Sequence, residues 1–124
     1  MSGPLVDTQD INGKDVKLAD LKGKVVLMTN VASACGYTAG NYKELVALHD
    51  KYASKGLEII AWPCNQFGRQ ENGSPEEICK FTAGKGVAFK VMEKIDVNGP
   101  NTHPVWQLLK TQKPGDVKWN FDAK

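Results

Sequence analysis

Residues 24–42, KVVLMTNVASACGYTAGNY, decide how the rest of the chain is arranged. The run opens with Val25, Val26, Leu27 and Met28 and continues through Thr29 to Val31, bounded by Gly23 and by the small residues Ala32, Ser33 and Ala34. A short apolar, β-branched run between turn signals reads as a buried strand of a parallel sheet. Cys35-Gly36 follows, and then a helical pattern that places Tyr42, Leu45, Leu48 and Tyr52 on one face. A cysteine in the turn between a buried strand and the next helix sits near that helix's positive end. The dipole and the free N–H groups there favour thiolate over thiol, so Cys35 is the candidate nucleophile.

Working outward, Leu57 to Trp62 reads as a second buried strand, reached through a helix that begins near Gly40 and stops at Lys55-Gly56, a basic last turn with glycine at C′. The two strands and their helix make a βαβ unit with a parallel, right-handed crossover. Upstream, Asn12-Gly13 between residues 6–11 and 16–18 signals an N-terminal hairpin with a two-residue turn. Downstream, residues 63–73 form a loop at the carboxyl end of the second strand, where open α/β sheets collect ligands. Ser74-Pro75-Glu76-Glu77 is a helix start with Ser at N-cap, Pro at N1 and Glu at N3, and that helix should stop near Gly84 and Gly86. Residues 89–97 read as a strand, residues 105–109 as a short helix after Pro104, and residues 117–121 as a final short strand.

Composition bounds the function. The 124 residues are 41% hydrophobic and 24% charged, an ordinary balance for one soluble globular domain. A net charge of +2, with acids and bases interleaved, offers no basic face for nucleic acid. The longest apolar run is far short of a membrane span, and Met1-Ser2-Gly3-Pro4 does not begin a signal peptide. Cys35, Cys64 and Cys79 lie too far apart for a zinc site or a disulfide framework, and an odd number of free thiols suits a reducing, cytoplasmic setting. His49 and His103 have no third ligand at metal spacing, so no metal or bound cofactor is expected.

Three stretches together point to a family. Residues 30–38 (NVASACGYT), residues 63–71 (PCNQFGRQE) and Trp119-Asn120-Phe121 resemble, in order, the three signatures of the glutathione peroxidases. The similarity runs from about residue 11 to residue 121 and includes residues 94–99 (KIDVNG) and His103-Pro104; it is greatest to the small, monomeric phospholipid-hydroperoxide branch. The resemblance implies an α/β, thioredoxin-like fold with an N-terminal β-hairpin, a role in the oxidative stress response, and a catalytic tetrad at Cys35, Gln70, Trp119 and Asn120. The chemistry agrees: a weak O–O bond is cleaved by a soft, deprotonated nucleophile. A Gln amide and an indole N–H can donate to that thiolate, or to the departing oxygen, without competing as nucleophiles. Taken singly, Cys35 could be a small buried hydrophobe, Gln70 a polar loop residue and Trp119 a core aromatic. Many relatives carry selenocysteine where this sequence has Cys35.

The resemblance further implies hydroperoxides, lipid hydroperoxides in membranes among them, as substrates, and glutathione as reductant. Thioredoxin-using relatives carry a resolving cysteine just after the equivalent of Phe81, where this chain has Thr82 and Ala83. Cys79 lies one helical turn earlier and reads as an idle helix thiol, and Cys64 as structural; a thioredoxin-dependent peroxidase or a peroxide sensor would need one of them to resolve. Peroxiredoxins place a threonine three residues before the nucleophile, where this chain has Ala32. Lys43, Arg69 and Lys118 could attract an anionic thiol, although solvated surface is their ordinary role. Relatives continue past the WNF signature with a strand, a hairpin partner and a closing helix. The single domain over residues 1–124 is therefore expected to be truncated, with one sheet edge unpaired and one face uncovered, and a non-catalytic thioredoxin-like module is the alternative.

Overall fold

The computed structural model describes residues 8–17, 21, 23–69, 71, 73–112, 115, 117–118 and 121. Its centre is the predicted βαβ unit. Strand β3 (Val25–Val31) pairs in parallel with β4 (Leu57–Pro63) along its whole length, from Val25↔Leu57 to Val31↔Pro63. Helix α1 (Thr38–Tyr52) and a 3-10 turn (Ala53–Lys55) join them. Gly56 takes φ +97°, a left-handed conformation that glycine adopts without steric cost; its N–H bonds Ala53 O and its carbonyl accepts Val25 N–H. The helix stop and the strand start are thus one structure.

Strand β5 (Lys90–Val91) adds in parallel to the other side of β4, giving the order β3-β4-β5. The N-terminal hairpin, β1 (Thr8–Gln9) with β2 (Asp15–Val16), docks on β5: Ile11 N–H donates to Val91 O and Glu93 N–H to Gln9 O. Its turn is longer than expected. Gly13 N–H returns to Asp10 O and Gly13 takes φ +79°, while Asp10 Oδ1 accepts the amides of Asn12 and Lys14. The Asp10 side chain organises a turn that Asn-Gly alone would have closed in two residues.

Alternate residues of the sheet build two cores. Met28, Ile60, Trp62 and Met92 meet Val105 and Trp106 of α3 (Pro104–Gln112) on one face. Val31, Ile59, Ala61 and Val91 meet Tyr42 and Leu45 of α1 and Ile78 of α2 (Pro75–Gly84) on the other. Both sheet faces are therefore covered, contrary to the expectation of a bare one, because α3 packs its apolar side onto Trp62 and Ile60. Helix α2 starts as read: Glu77 N–H donates to Ser74 Oγ and Ser74 N–H to Glu77 Oε1, a reciprocal capping box. On α1 the buried face follows Thr38, Tyr42 and Leu45, and Leu48 points outward at 39% exposure. The expected strand at 89–97 shortens to two residues, and Val117 and Lys118 of the expected last strand lie outside any strand.

Candidate active site

Cys35 occupies the turn between β3 and α1, as the sequence predicts, and is 9% exposed. Ala32, Cys35 and Thr38 are the buried points of its loop, and buried N–H and C=O groups need partners. Thr38, the first residue of α1, meets that need twice. Its Oγ1 accepts the Cys35 N–H at 3.1 Å and donates to Ala32 O at 2.7 Å, and its own N–H reaches Cys35 O. The turn leaves the Tyr37 N–H free to donate to Cys35 Sγ at 3.4 Å.

The loop after β4 closes on the same place. Cys64 N–H continues the ladder to Val31 O, and Asn65 Oδ1 accepts the Glu71 N–H at 3.0 Å. Glu71, fully buried, turns its carboxyl back across the loop, where Oε1 accepts the Ser33 N–H at 3.1 Å. Two residues from the candidate nucleophile, the chain is therefore held by a buried acid. Burial pushes the Glu71 carboxyl above its ordinary value, while the Ser33 hydroxyl and amide and the Lys94 ammonium pull it down.

The C-terminal segment is tied in from both sides. Asn98 forms a two-point amide clamp on Val117, Nδ2 donating to Val117 O (2.7 Å) and Oδ1 accepting Val117 N–H (3.0 Å). Gln66 in turn holds Asn98, accepting its N–H and donating to its carbonyl. At the other end Phe121 N–H donates to Asn30 O at 2.7 Å, and its ring sits edge-on to Tyr42, 5.6 Å between centroids. Gln70, Trp119 and Asn120 lie outside the described residues. The structure thus places Cys35 and joins the three signature stretches through 33–71 and 30–121.

The other candidates separate clearly. Cys64 is fully buried; burial, first among the causes, pushes its thiol up, against the hydrogen bonds from Gln66 and Val97. Cys79 is half-buried on α2, in a groove with Ile11, Val87 and Phe89. All three cysteines are free thiols. Lys43, Arg69 and Lys118 are exposed. His103 accepts Val105 N–H at Nδ1, faces Thr8 Oγ1 with Nε2 and lies over the Trp62 ring; His49 lies against Phe89. Among the described residues, no three His, Cys, Asp or Glu side chains gather as metal ligands, and no helix is long and apolar enough to cross a membrane. Thr38 and Glu71 were legible only as motif members. Nothing local in the sequence signals that their side chains hold the cysteine loop.

A family model described as glutathione peroxidase matches residues 5–110. The chain belongs to the glutathione peroxidase family. Phospholipid hydroperoxide glutathione peroxidase 1, chloroplastic, of Arabidopsis thaliana is 50% identical over 119 residues, covering 92% of this chain and 50% of its own length. The glutathione peroxidase-like peroxiredoxin HYR1 of Saccharomyces cerevisiae is 52% identical, over 91% of this chain and 72% of its own. The chain therefore spans about half the length of the chloroplast relative. The crystal structure of T. cruzi GPX1 superposes with a TM-score of 0.75 at 35% identity, over 95% of this chain and 74% of that one. Glutathione peroxidases thus share this α/β arrangement, and thioredoxin-family structures below 25% identity share the fold.

Proposed function

We propose that the chain is a thiol-dependent peroxidase with Cys35 as its peroxidatic residue. The observation that carries this is the Cys35 turn in a glutathione peroxidase chain, with its sulfur accepting the Tyr37 N–H. The Cys35 thiolate attacks the terminal oxygen of a hydroperoxide. An S–O bond forms as the O–O bond breaks, sulfur is oxidised to the sulfenic acid, and the departing alkoxide takes a proton to become an alcohol. Gln70, Trp119 and Asn120 are assigned to the same centre by the family motif, as hydrogen-bonding groups for the thiolate and the leaving oxygen. Lipid hydroperoxides are the proposed substrates, which a monomer would meet at a membrane surface.

Glutathione is the proposed reductant. One thiol attacks the sulfenic sulfur, releasing water and leaving a mixed disulfide. A second attacks that disulfide, releasing oxidised glutathione and restoring Cys35. A thioredoxin-type cycle would instead need an internal disulfide to Cys79 or Cys64. Cys64 is fully buried with its thiol held protonated, and Cys79 sits within the second turn of a helix braced by its capping box. The test is consumption of glutathione with a lipid hydroperoxide by the purified chain, abolished in Cys35→Ser. Peptide mapping after one equivalent of peroxide without thiol should find oxidised Cys35 unlinked. A dominant Cys35–Cys79 or Cys35–Cys64 disulfide would overturn the glutathione cycle, and undiminished turnover in Cys35→Ser would overturn the peroxidase.

A further inference from the structure

We propose that Glu71 is a positioning residue for Cys35: its buried carboxyl holds the Ser33 amide and so fixes the loop that presents the thiol. The inference rests on the peroxidase reading for its kinetic consequence, but the contact stands by itself. Glu71 is anchored before it reaches Ser33, since its own N–H is taken by Asn65 Oδ1. Its side chain is fully buried, and one oxygen, Oε1, accepts the Ser33 N–H at 3.1 Å. Its other oxygen, Oε2, is equally buried and has no hydrogen-bond partner among the described residues. A buried oxygen without a partner disfavours the charged form, in the same direction as the burial that raises this carboxyl. The surroundings favour the proton. Tyr42, from α1, is buried with its hydroxyl also unpartnered among the described residues, and the Glu71 charge would add to the burial that already raises that phenol. The Lys94 ammonium pulls toward the carboxylate from the loop after β5, but Lys94 Nζ is already donating to Gly73 O, and burial is the larger effect.

A glutamine amide has nearly the shape of the carboxyl and keeps an acceptor oxygen for the Ser33 amide. Glu71→Gln is therefore expected to keep the Ser33 contact, and Glu71→Ala to release it. Misplacing a reacting atom by about 1 Å costs on the order of 100-fold in rate. Stopped-flow oxidation of Cys35 by tert-butyl hydroperoxide should be unchanged in Glu71→Gln and slower by about 10- to 100-fold in Glu71→Ala. Resistance of Cys64 to alkylation shows in each variant that the fold persists. The Ser33 amide in the parent and in Glu71→Gln should exchange with solvent at least about tenfold more slowly than an exposed amide. That measurement applies even if the alanine variant does not fold. If the parent Cys35 does not react with the peroxide, the peroxidase reading fails, while Ser33 exchange still tests the contact. An unprotected Ser33 amide in the parent, parental kinetics in Glu71→Ala, or a glutamine variant as slow as the alanine one would each overturn the proposal.

Discussion

Thr38→Val is the sharpest single perturbation of the cysteine loop, because valine keeps the shape of threonine and removes only its hydroxyl. Thr38 is 4% exposed, and the hydroxyl is used in both senses, as acceptor from Cys35 N–H at 3.1 Å and donor to Ala32 O at 2.7 Å. The substitution deletes two hydrogen bonds and leaves a buried amide and a buried carbonyl to find other partners. Each buried orphan costs about 1–3 kcal/mol, so the expected loss is about 2–6 kcal/mol. That is a large share of the roughly 5–15 kcal/mol by which a domain is stable. Thr38→Ser is the control. It keeps the hydroxyl and removes one buried methyl, worth about 0.8 kcal/mol. Urea unfolding with an unchanged slope should rank parent, serine and valine in that order. Cys35 oxidation by peroxide should slow in the valine variant alone, because only there is the Cys35 amide untethered. A valine variant within about 0.5 kcal/mol of the parent, or a serine variant as costly as valine, would refute the two-bond account of this loop.

Asn98→Ala removes the clamp on Val117, and with about 1 kcal/mol per lost hydrogen bond the Val117 amide should exchange several-fold faster; an unchanged rate would show that the clamp holds nothing. Iodoacetamide should label Cys79 in the folded protein and Cys64 only on unfolding, as mass spectrometry would read directly, because Cys64 is fully buried with its thiol raised above the ordinary value. Glu71 titrates in the folded state above its ordinary 4.5, so the folded protein binds that proton more tightly than the unfolded chain does. The stability this contributes is complete below pH 4.5 and is lost as pH rises through the folded value. The stability of Glu71→Gln relative to the parent should therefore grow with pH above 4.5, and a pH-independent difference would contradict the raised carboxyl.

The parts of this fold that were legible in the sequence are those written locally. The β3 and β4 runs, Gly56 after a basic last turn, and the Ser74–Glu77 box each carry their signal within a few residues. What was not legible depends on which neighbour a segment meets. Residues 89–97 alternate like a strand, but the strand register with β4 covers only Ile60 and Ala61, Ile95 N–H reaching Pro63 O alone, and the hairpin takes the contacts between through Gln9 and Ile11. Leu48 fits an i, i+3 reading of the helix face, yet Tyr42 and Leu45 already fill the core above β4 and leave Leu48 outward. The Asp10 side chain was present in the sequence as an Asx-turn signal, and it decides the length of the hairpin turn. Strand-turn-helix logic placed Cys35 correctly between β3 and α1. The contacts that fix its loop, Ser33 to Glu71 and Asn30 to Phe121, span 38 and 91 residues and leave no local trace.

These long contacts hold the loops at this end of the sheet. Where β3 and β4 end, their ladder stops, and the loops beyond have backbone groups that no strand partner satisfies. Those at the buried residues Ala32 and Cys35 cannot be left unpaired. Thr38 takes the Cys35 amide and the Ala32 carbonyl, and Glu71 takes the Ser33 amide. The Tyr37 amide points at the Cys35 sulfur. A donor already fixed in place before reaction stabilises developing negative charge without reorganising, whereas water must turn to do so. The site is therefore specified as much by the side chains that occupy neighbouring amides as by the cysteine itself. Cys64 makes the comparison within one chain. It too begins a loop after a buried strand, but its sulfur donates toward Gln66 Oε1 and burial keeps the proton on it. Burial outweighs the backbone N–H groups of Gln66 and Val97 that also face that sulfur, so Cys64 stays a thiol.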